Sequence, residues 1–168
     1  MSNICKNEFV VSGKKKTILK FLSDGMKVES VSKDLNELKI LFNEKKVTLD
    51  SYIPMPEDLK DISDKNMLEL IKKYGYSNEY LWRMKNYDTL NSVINLKEIE
   101  DNKSTITLYM VIYTSWQPPI SWLKKVQKKY KSLKFYMEFE EPNMELKGFC
   151  KTSVINPVQL ITHYCNKI

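Results

Sequence analysis

The chain has 168 residues, with 27 lysines and arginines against 21 aspartates and glutamates, and a formal net charge of +6. This length suits one domain, and three cysteines without metal-ligand spacing, four glycines and one histidine argue against disulfide, zinc and phosphate-loop classes. The sequence shows no secretory segment and no long apolar run, which predicts a cytoplasmic location. The positive charge suits an anionic partner, but acidic residues are interspersed with the lysines, so a well-solvated surface explains it equally well.

The first predicted elements are a short strand and a helix. Residues 7–12 alternate with period two, and a helix follows over about 14–24, with Ser12 as candidate cap and Gly25 as its stop. Residues 26–46 fit a helix or a strand, and the helix is favoured. Residues 47–53 alternate again and predict a strand that ends at Pro54-Met55-Pro56.

Between about 57 and 90 the sequence predicts a helical insertion. Asp64 could cap its first helix, and Ser77 could cap the second. Apolar residues run nearly all round the second helix, so we expect it to cover the sheet face near Tyr109 and Tyr113. Those apolar residues are Tyr80, Leu81, Trp82 and Met84.

The centre of the chain predicts a strand, a turn, a basic helix and a second strand. Residues 92–99 and 104–114 flank a hairpin turn, Trp116-Gln117-Pro118-Pro119 ends the second of these strands, and a helix runs to about Lys131. A strand over 133–140 follows, and two strands joined by a helix of this length lie parallel. The predicted buried face holds Ile106, Leu108, Met110, Phe135 and Phe139.

Six short motifs occur in the order of one known family. They are Asn3-Ile4-Cys5-Lys6-Asn7, Tyr52-Ile53-Pro54-Met55-Pro56-Glu57-Asp58-Leu59, Trp82-Arg83-Met84-Lys85-Asn86-Tyr87, Thr114-Ser115-Trp116-Gln117-Pro118-Pro119, Leu133-Lys134-Phe135, and Glu140-Glu141-Pro142 with Gly148-Phe149. Together they resemble the YubB-type ferredoxin-like family, small proteins of unknown function encoded by phages and conjugative elements, over 1 to about 151.

One loop departs from the family pattern. Where the family has an Asn-Trp-Gly-Thr-Lys-Trp run, Asn86-Tyr87-Asp88-Thr89-Leu90-Asn91 keeps the Asn and the Thr but lacks the Gly and both Trp. The role of that loop in relatives is therefore in doubt here. The family has no assigned catalytic residues, so the resemblance implies none.

The resulting fold prediction is a single α+β domain over 1–168. It has a ferredoxin-like antiparallel sheet with two helices on one face, the helical insertion, and an added C-terminal helix over about 156–168 that starts at Asn156-Pro157.

Candidate catalytic groups are few. His163 is the only histidine and lies on the predicted apolar final helix, without an evident partner. Cys5 and Cys150 could lie close together, although free cysteines are commonly packed as small hydrophobes. Glu138 and Glu140 share one strand face, which a solvated sheet explains as well as a metal site. We therefore expect no enzyme activity, no metal and no cofactor.

Two groups of residues are candidates for binding. Trp116 could present a rigid aromatic surface before its two prolines, or it could pack against the core. The helix lysines Lys124, Lys125, Lys128 and Lys129 could contact phosphates, and Tyr109, Tyr113 and Tyr136 could stack bases. Because the helix and these tyrosines belong to opposite faces of the sheet, they do not make one site.

The predicted function is that of a non-catalytic accessory protein of a phage or mobile element. Its partner would be a host protein or protein–nucleic acid complex, and inhibition of a nuclease-based host defence system, an anti-CRISPR activity, is the specific hypothesis that the resemblance implies. The alternative is an RNA-binding or single-stranded-DNA-binding module. No membrane partner is expected.

Overall fold

A single antiparallel sheet organises the chain in the computed structural model, which describes residues 3–32, 34–60, 67–153 and 159–165. Its six strands are β1 (Ile4–Lys14), β2 (Ser92–Asn102), β3 (Thr105–Ser115), β4 (Lys134–Glu141), β5 (Leu146–Thr152) and β6 (Leu160–Tyr164), in the spatial order β2-β3-β1-β4-β5-β6. The described helices are α1 (Lys15–Met26), α2 (Leu35–Glu44), α3 (Leu49–Tyr52), α4 (Met67–Tyr74), α5 (Glu79–Tyr87) and α6 (Ile120–Lys129).

Strand β1 lies at the centre and pairs antiparallel with both β3 and β4. The two strands joined by α6 are therefore parallel to each other, as predicted, but β1 lies between them. The chain is thus a mixed α+β protein with a six-stranded antiparallel sheet.

The hydrophobic core covers one face of this sheet. Strand β4 alternates strictly between buried and exposed side chains, and β1 and β3 alternate over most of their length, with Val111 of β3 buried as well. Helices α1 and α6 both pack on the buried face. Phe21 of α1 contacts Phe135, and Trp122 of α6 contacts Phe9, with ring centroids 6.2 and 5.9 Å apart. The predicted buried residues Ile106, Leu108, Met110, Phe135 and Phe139 are all buried, which confirms that assignment.

The ends of α1 differ from the prediction. Lys14, not Ser12, precedes the helix and makes no side-chain cap, and Lys27 in the left-handed region, not Gly25, ends it. Gly25 is buried because the ring of Tyr52 lies against it: a Cβ there would be 2.4 Å from the Tyr52 Oη. The helix predicted within 26–46 is α2, as favoured.

The strand predicted over 47–53 is wrong, because this segment forms the short helix α3. Val47 accepts one backbone hydrogen bond from Ile94, 2.9 Å, and the chain then turns. Thr48 and Ser51 form a reciprocal capping box, which satisfies backbone donors that a strand would need to pair elsewhere.

The predicted C-terminal helix is also wrong where the chain is described. Residues 160–164 form β6, which pairs antiparallel with β5. Gly148 permits this approach, since a Cβ there would lie 2.3 Å from the His163 carbonyl oxygen. β-Branched Ile161 and Thr162 favour the extended conformation as well.

The described part of the insertion, residues 57–60 and 67–90, does not cover the sheet face near Tyr113, contrary to the prediction. Asp64 lies outside the described residues, and Asn78 rather than Ser77 caps α5. Helix α5 packs against α6 instead, so buried Trp82 lies on the helical side of the molecule, and Tyr113 stays exposed. Of the described helices, none is long and apolar enough to cross a membrane.

Candidate nucleic-acid interface

The sheet face opposite the helices carries the candidate site. Its side chains come from the alternate positions of each strand, and large aromatic residues remain exposed there: Tyr113 is 37% and Tyr136 is 39% accessible. Such an open face combines area, aromatic rings and polar groups on one rigid element, and we call it the open face below.

Three rings form a stacked series across β4, β5 and β6. Tyr136 stacks on Phe149 with centroids 6.1 Å apart and an interplanar angle of 25°, and Phe149 stacks on His163 at 4.8 Å and 24°. Phe149 and His163 face each other directly in the strand register. We call Tyr136, Phe149 and His163 the aromatic series, which offers π surfaces of the kind on which nucleic-acid bases stack.

Three lysines border the aromatic series on the same face. Lys134 of β4 lies opposite Ser12 of β1, so Lys14, two residues farther along β1, is its diagonal neighbour. Lys151 of β5 lies opposite Tyr136, so it is the diagonal neighbour of Lys134 on the other side. Diagonal neighbours on a sheet lie about 7–8 Å apart, within the reach of long side chains. The Nζ of Lys151 also lies 5.9 Å from the Phe149 ring centroid. We call Lys14, Lys134 and Lys151 the lysine row.

The lysine row belongs to a basic end of the sheet. The segments that meet there, 14–16, 101–105, 131–134 and 151–153, contain seven lysines but one acidic residue, Asp101. Lys15 pairs with that carboxylate at 2.5 Å, whereas the six other lysines make no ion pair with any described residue. Those six are Lys14, Lys16, Lys103, Lys131, Lys134 and Lys151.

Acidic residues lie farther along the open face. Glu138 is the register partner of both Glu8 and Phe149, and Glu140 is the partner of Lys6. Burial and the negative charge of Glu138 raise the pKa of Tyr136. Along β4, Lys134 therefore lies at one end and Glu138 and Glu140 lie toward the other. On β2, however, Glu98 and Glu100 lie level with the lysine end, because Glu100 is the register partner of Thr107 and Thr107 is the partner of Ser12.

The predicted helix lysines are on the other side of the molecule. Lys125 donates to Asn86, and burial, followed by repulsion from Lys128, lowers its pKa. Lys129 donates to the Tyr52 carbonyl oxygen at 3.0 Å. Lys124 and Lys128 are exposed and have no partner among the described residues. Lys125 and Lys129 therefore help to hold α6 in place. The binding role of all four lysines stays a prediction.

Trp116 is exposed rather than packed as a plug of the core. It is 47% accessible and has φ 70°, a left-handed conformation that bulky residues rarely adopt. The backbone N–H of Trp116 donates to the Asn3 carbonyl oxygen at 3.0 Å. Exposed Ile4, Val93 and Tyr113 lie nearby at this end of the sheet.

The cysteines lack the features of reactive thiols. Burial raises the pKa of the Cys5 thiol from 9.0 to about 12, and burial also raises the pKa of Cys150. Strand β4 lies between the strands that carry Cys5 and Cys150. Cys150 is also level with Phe9, four residues from Cys5 along β1, so the two cysteines do not form a pair. Among the described residues, no group of three or more His, Cys, Asp or Glu side chains is placed to hold a metal ion.

Sequence reasoning missed most of this candidate interface. The strand predicted over 133–140 contains Lys134 and Tyr136, but Lys14, Phe149 and Lys151 were not connected to them. His163 was missed because β6 was predicted as a helix. The pairing of β5 with β4 and β6 brings these residues together.

No family model matches the chain, and neither does any curated protein. A similar solved structure is the crystal structure of protein api92 from Yersinia pseudotuberculosis, described with the family model DUF1281. The two chains share 8% identity with a TM-score of 0.47, over 100% of each chain. That degree of similarity carries no conclusion about family or function.

Proposed function

We propose that the protein binds single-stranded nucleic acid on the open face. The observation that carries this proposal is the placement of the lysine row directly beside the aromatic series. Proteins that bind single strands combine stacking rings with a positively charged path for the backbone, and each stacked base contributes about 1–3 kcal/mol.

The positions of the acidic groups favour a single strand over a duplex. The rings are adjacent on the surface of a sheet, so bases must be unpaired and splayed to reach them. Glu8, Glu138 and Glu140 toward one end, and Glu98 and Glu100 on β2, limit the positive field to the lysine row itself. A short segment of backbone at the lysine row is the ligand that avoids these carboxylates.

We also propose that the core of the fold is ferredoxin-like. The order β2-β3-β1-β4, with α1 and α6 on one face, supports this, and β5 and β6 would then be additions at one edge. Membership of the YubB-type family is part of the same proposal and rests on the six motifs. The phage origin, the anti-CRISPR activity and the cytoplasmic location stay predictions.

Fluorescence anisotropy with labelled single-stranded RNA, single-stranded DNA and duplex 12-mers tests the binding proposal. We expect single strands to bind more tightly than the duplex. Affinity should fall with salt at a log–log slope of about −2, since each of three phosphate contacts on a single strand contributes about −0.7. When Lys14, Lys134 and Lys151 are all changed to Gln, most of this dependence of affinity on salt should disappear.

A matched variant controls for net charge. Lys72 and Lys85 are exposed on α4 and α5, and Lys45 is exposed directly after α2, so their triple change to Gln removes the same charge away from the open face. Equal losses in the two triple variants, or no binding near physiological salt, would refute the proposal. A Lys124→Gln/Lys128→Gln variant tests the helix separately, and we expect its affinity to match that of the unaltered protein.

A protein partner at the Trp116 end is the second candidate. An exposed tryptophan in a left-handed conformation, beside Ile4 at 59% and Val93 at 47% accessibility, supports it. A partner captured from nuclease-treated lysate by the unaltered protein, but not by a Trp116→Ala variant, would support this candidate. Loss of capture on nuclease treatment would instead assign the contact to nucleic acid.

A further inference from the structure

We propose that Glu138 selects cytosine and other amino-bearing bases against uracil and thymine. This inference rests on the proposed binding of single-stranded nucleic acid to the open face and adds a base preference to it. Glu138 is a specificity residue in this proposal, because its carboxylate would accept a hydrogen bond from the edge of a stacked base.

The strand register places Glu138 beside the aromatic series. It lies directly opposite Phe149 on β5, and the Tyr136 hydroxyl donates to its Oε2 over 3.5 Å. Directly opposite residues on a sheet have Cβ atoms about 4.5–5.5 Å apart, closer than the width of a stacked base. Because Phe149 lies between Tyr136 and His163, a base would stack on the end ring Tyr136, which is 39% exposed. The Tyr136 hydroxyl reaches Glu138, so a base stacked on Tyr136 presents its edge to this carboxylate.

The carboxylate of Glu138 is not neutralised within the described part of the protein. It makes no ion pair with a described residue, and its partner across β1 is a second carboxylate, Glu8. Glu8 has its own cation, Lys6, at 2.7 Å. Like charges directly opposite each other on a sheet are destabilising. A carboxylate that has no described cation, and that accepts from the Tyr136 hydroxyl at one oxygen, is therefore held beside the rings although it opposes both folding and phosphate binding.

The chemistry of the bases gives this acceptor its selectivity. An ionised carboxylate accepts hydrogen bonds and donates none. Cytosine offers its N4 amino group and adenine its N6 amino group, whereas thymine presents a carbonyl oxygen at the corresponding position. Uracil presents the same oxygen, which a carboxylate repels, and its N3–H donor lies between two such oxygens, whereas one N–H of the cytosine amino group points away from the ring acceptors. Cytosine and uracil have rings of equal size, so the comparison between them isolates the hydrogen bond from stacking.

Competition anisotropy with unlabelled hexamers of cytidine and of uridine, at one fixed salt concentration, tests the inference. We expect the cytidine hexamer to bind about tenfold more tightly. In Glu138→Gln the ratio should fall to within about twofold, chiefly because the uridine hexamer gains affinity. Glutamine keeps the size of the side chain, loses its charge and can donate to the uracil oxygen.

Glu140→Gln is the matched control, because Glu140 lies on the same face and strand but opposite Lys147 rather than a ring. It should strengthen binding of both hexamers equally and keep the ratio. Equal binding of both hexamers by the unaltered protein, or an unchanged ratio in Glu138→Gln, would refute the role of Glu138 and leave the binding proposal standing. Failure of both hexamers to bind would refute both.

Discussion

Gly25 and Tyr52 illustrate how single residues constrain this fold. In an exposed helix interior, replacing Gly by Ala stabilises by roughly 0.5–1 kcal/mol. At Gly25, however, a Cβ would lie 2.4 Å from the Tyr52 Oη and 2.7 Å from its Cζ. We predict that Gly25→Ala destabilises by about 1–3 kcal/mol, the usual range for overpacking, as measured by urea unfolding. A Gly25→Ala/Tyr52→Phe double variant should recover part of this loss, and a stabilised Gly25→Ala would contradict the prediction.

The hydroxyl of Tyr52 provides a second test at this scale. It is buried without a hydrogen-bond partner among the described residues, whereas the Tyr130 hydroxyl donates to Asp24 at 2.6 Å. An unpaired buried donor costs about 1–3 kcal/mol, so we predict that Tyr52→Phe leaves the free energy of unfolding unchanged or raises it. Tyr130→Phe is the comparison and should lower it by about 1 kcal/mol. Equal losses in both variants would show that Tyr52 has a partner.

At the scale of elements, Asp88 joins α5 to α6. Asp88 ends α5 in the left-handed conformation with φ 62°, and its carboxylate accepts hydrogen bonds from the backbone N–H and the hydroxyl of Ser121, at 2.5 and 2.8 Å. This carboxylate satisfies a free donor in the first turn of α6. We predict that Asp88→Ala destabilises by about 1–2 kcal/mol.

Asp88→Asn is the informative comparison in the same unfolding experiment. Asparagine tolerates the left-handed conformation and still accepts one hydrogen bond, so it should lose less than half as much as alanine. Equal losses would assign the effect to the carboxylate charge at the helix end instead of the hydrogen bonds.

Elements with a long, regular pattern could be predicted from the sequence, and short ones could not. Strand β3 and helix α6 each repeat one period over ten or more residues, so their type and buried faces were evident. The segments 47–53 and 160–164 are too short for periodicity to decide between helix and strand. Their conformations depend on distant contacts: Ser92 with Leu49 in one case, and Gly148 with His163 in the other.

At the scale of the whole molecule, the candidate site could not be predicted from the sequence, because it depends on contacts between distant strands. Its residues come from β1, β4, β5 and β6, and strand order alone brings the lysine row beside the aromatic series. A linear sequence in which acidic and basic residues are interspersed does not show which charges strand pairing will bring together, because register decides which residues become neighbours across strands.

Alkaline unfolding is a property of the whole molecule that follows from its buried acids. Burial raises the pKa of Cys5 from 9.0 to about 12 and also raises the pKa of Tyr52, Tyr87 and Tyr130. Because these groups ionise at lower pH in the unfolded chain, stability is complete below about pH 9 and is lost as the pH rises.

We predict a urea midpoint that is flat from pH 7 to 9 and falls increasingly from pH 9 to 11. In a Cys5→Ala/Cys150→Ala variant, which lacks both buried thiols, the fall should begin later, near the ordinary tyrosine pKa of 10, while its later part is kept. A urea midpoint that increases as the pH is raised above 9 would contradict the burial of these groups.

The division of the sheet into one packed face and one open face has an evolutionary consequence. Exposed substitutions usually change stability by less than about 0.5 kcal/mol, whereas core substitutions cost several times more. Residues such as Tyr136, Glu138 and Lys151 can therefore be exchanged without refolding the core. The proposed ligand preference can drift, or be redesigned, largely independently of the fold that supports it.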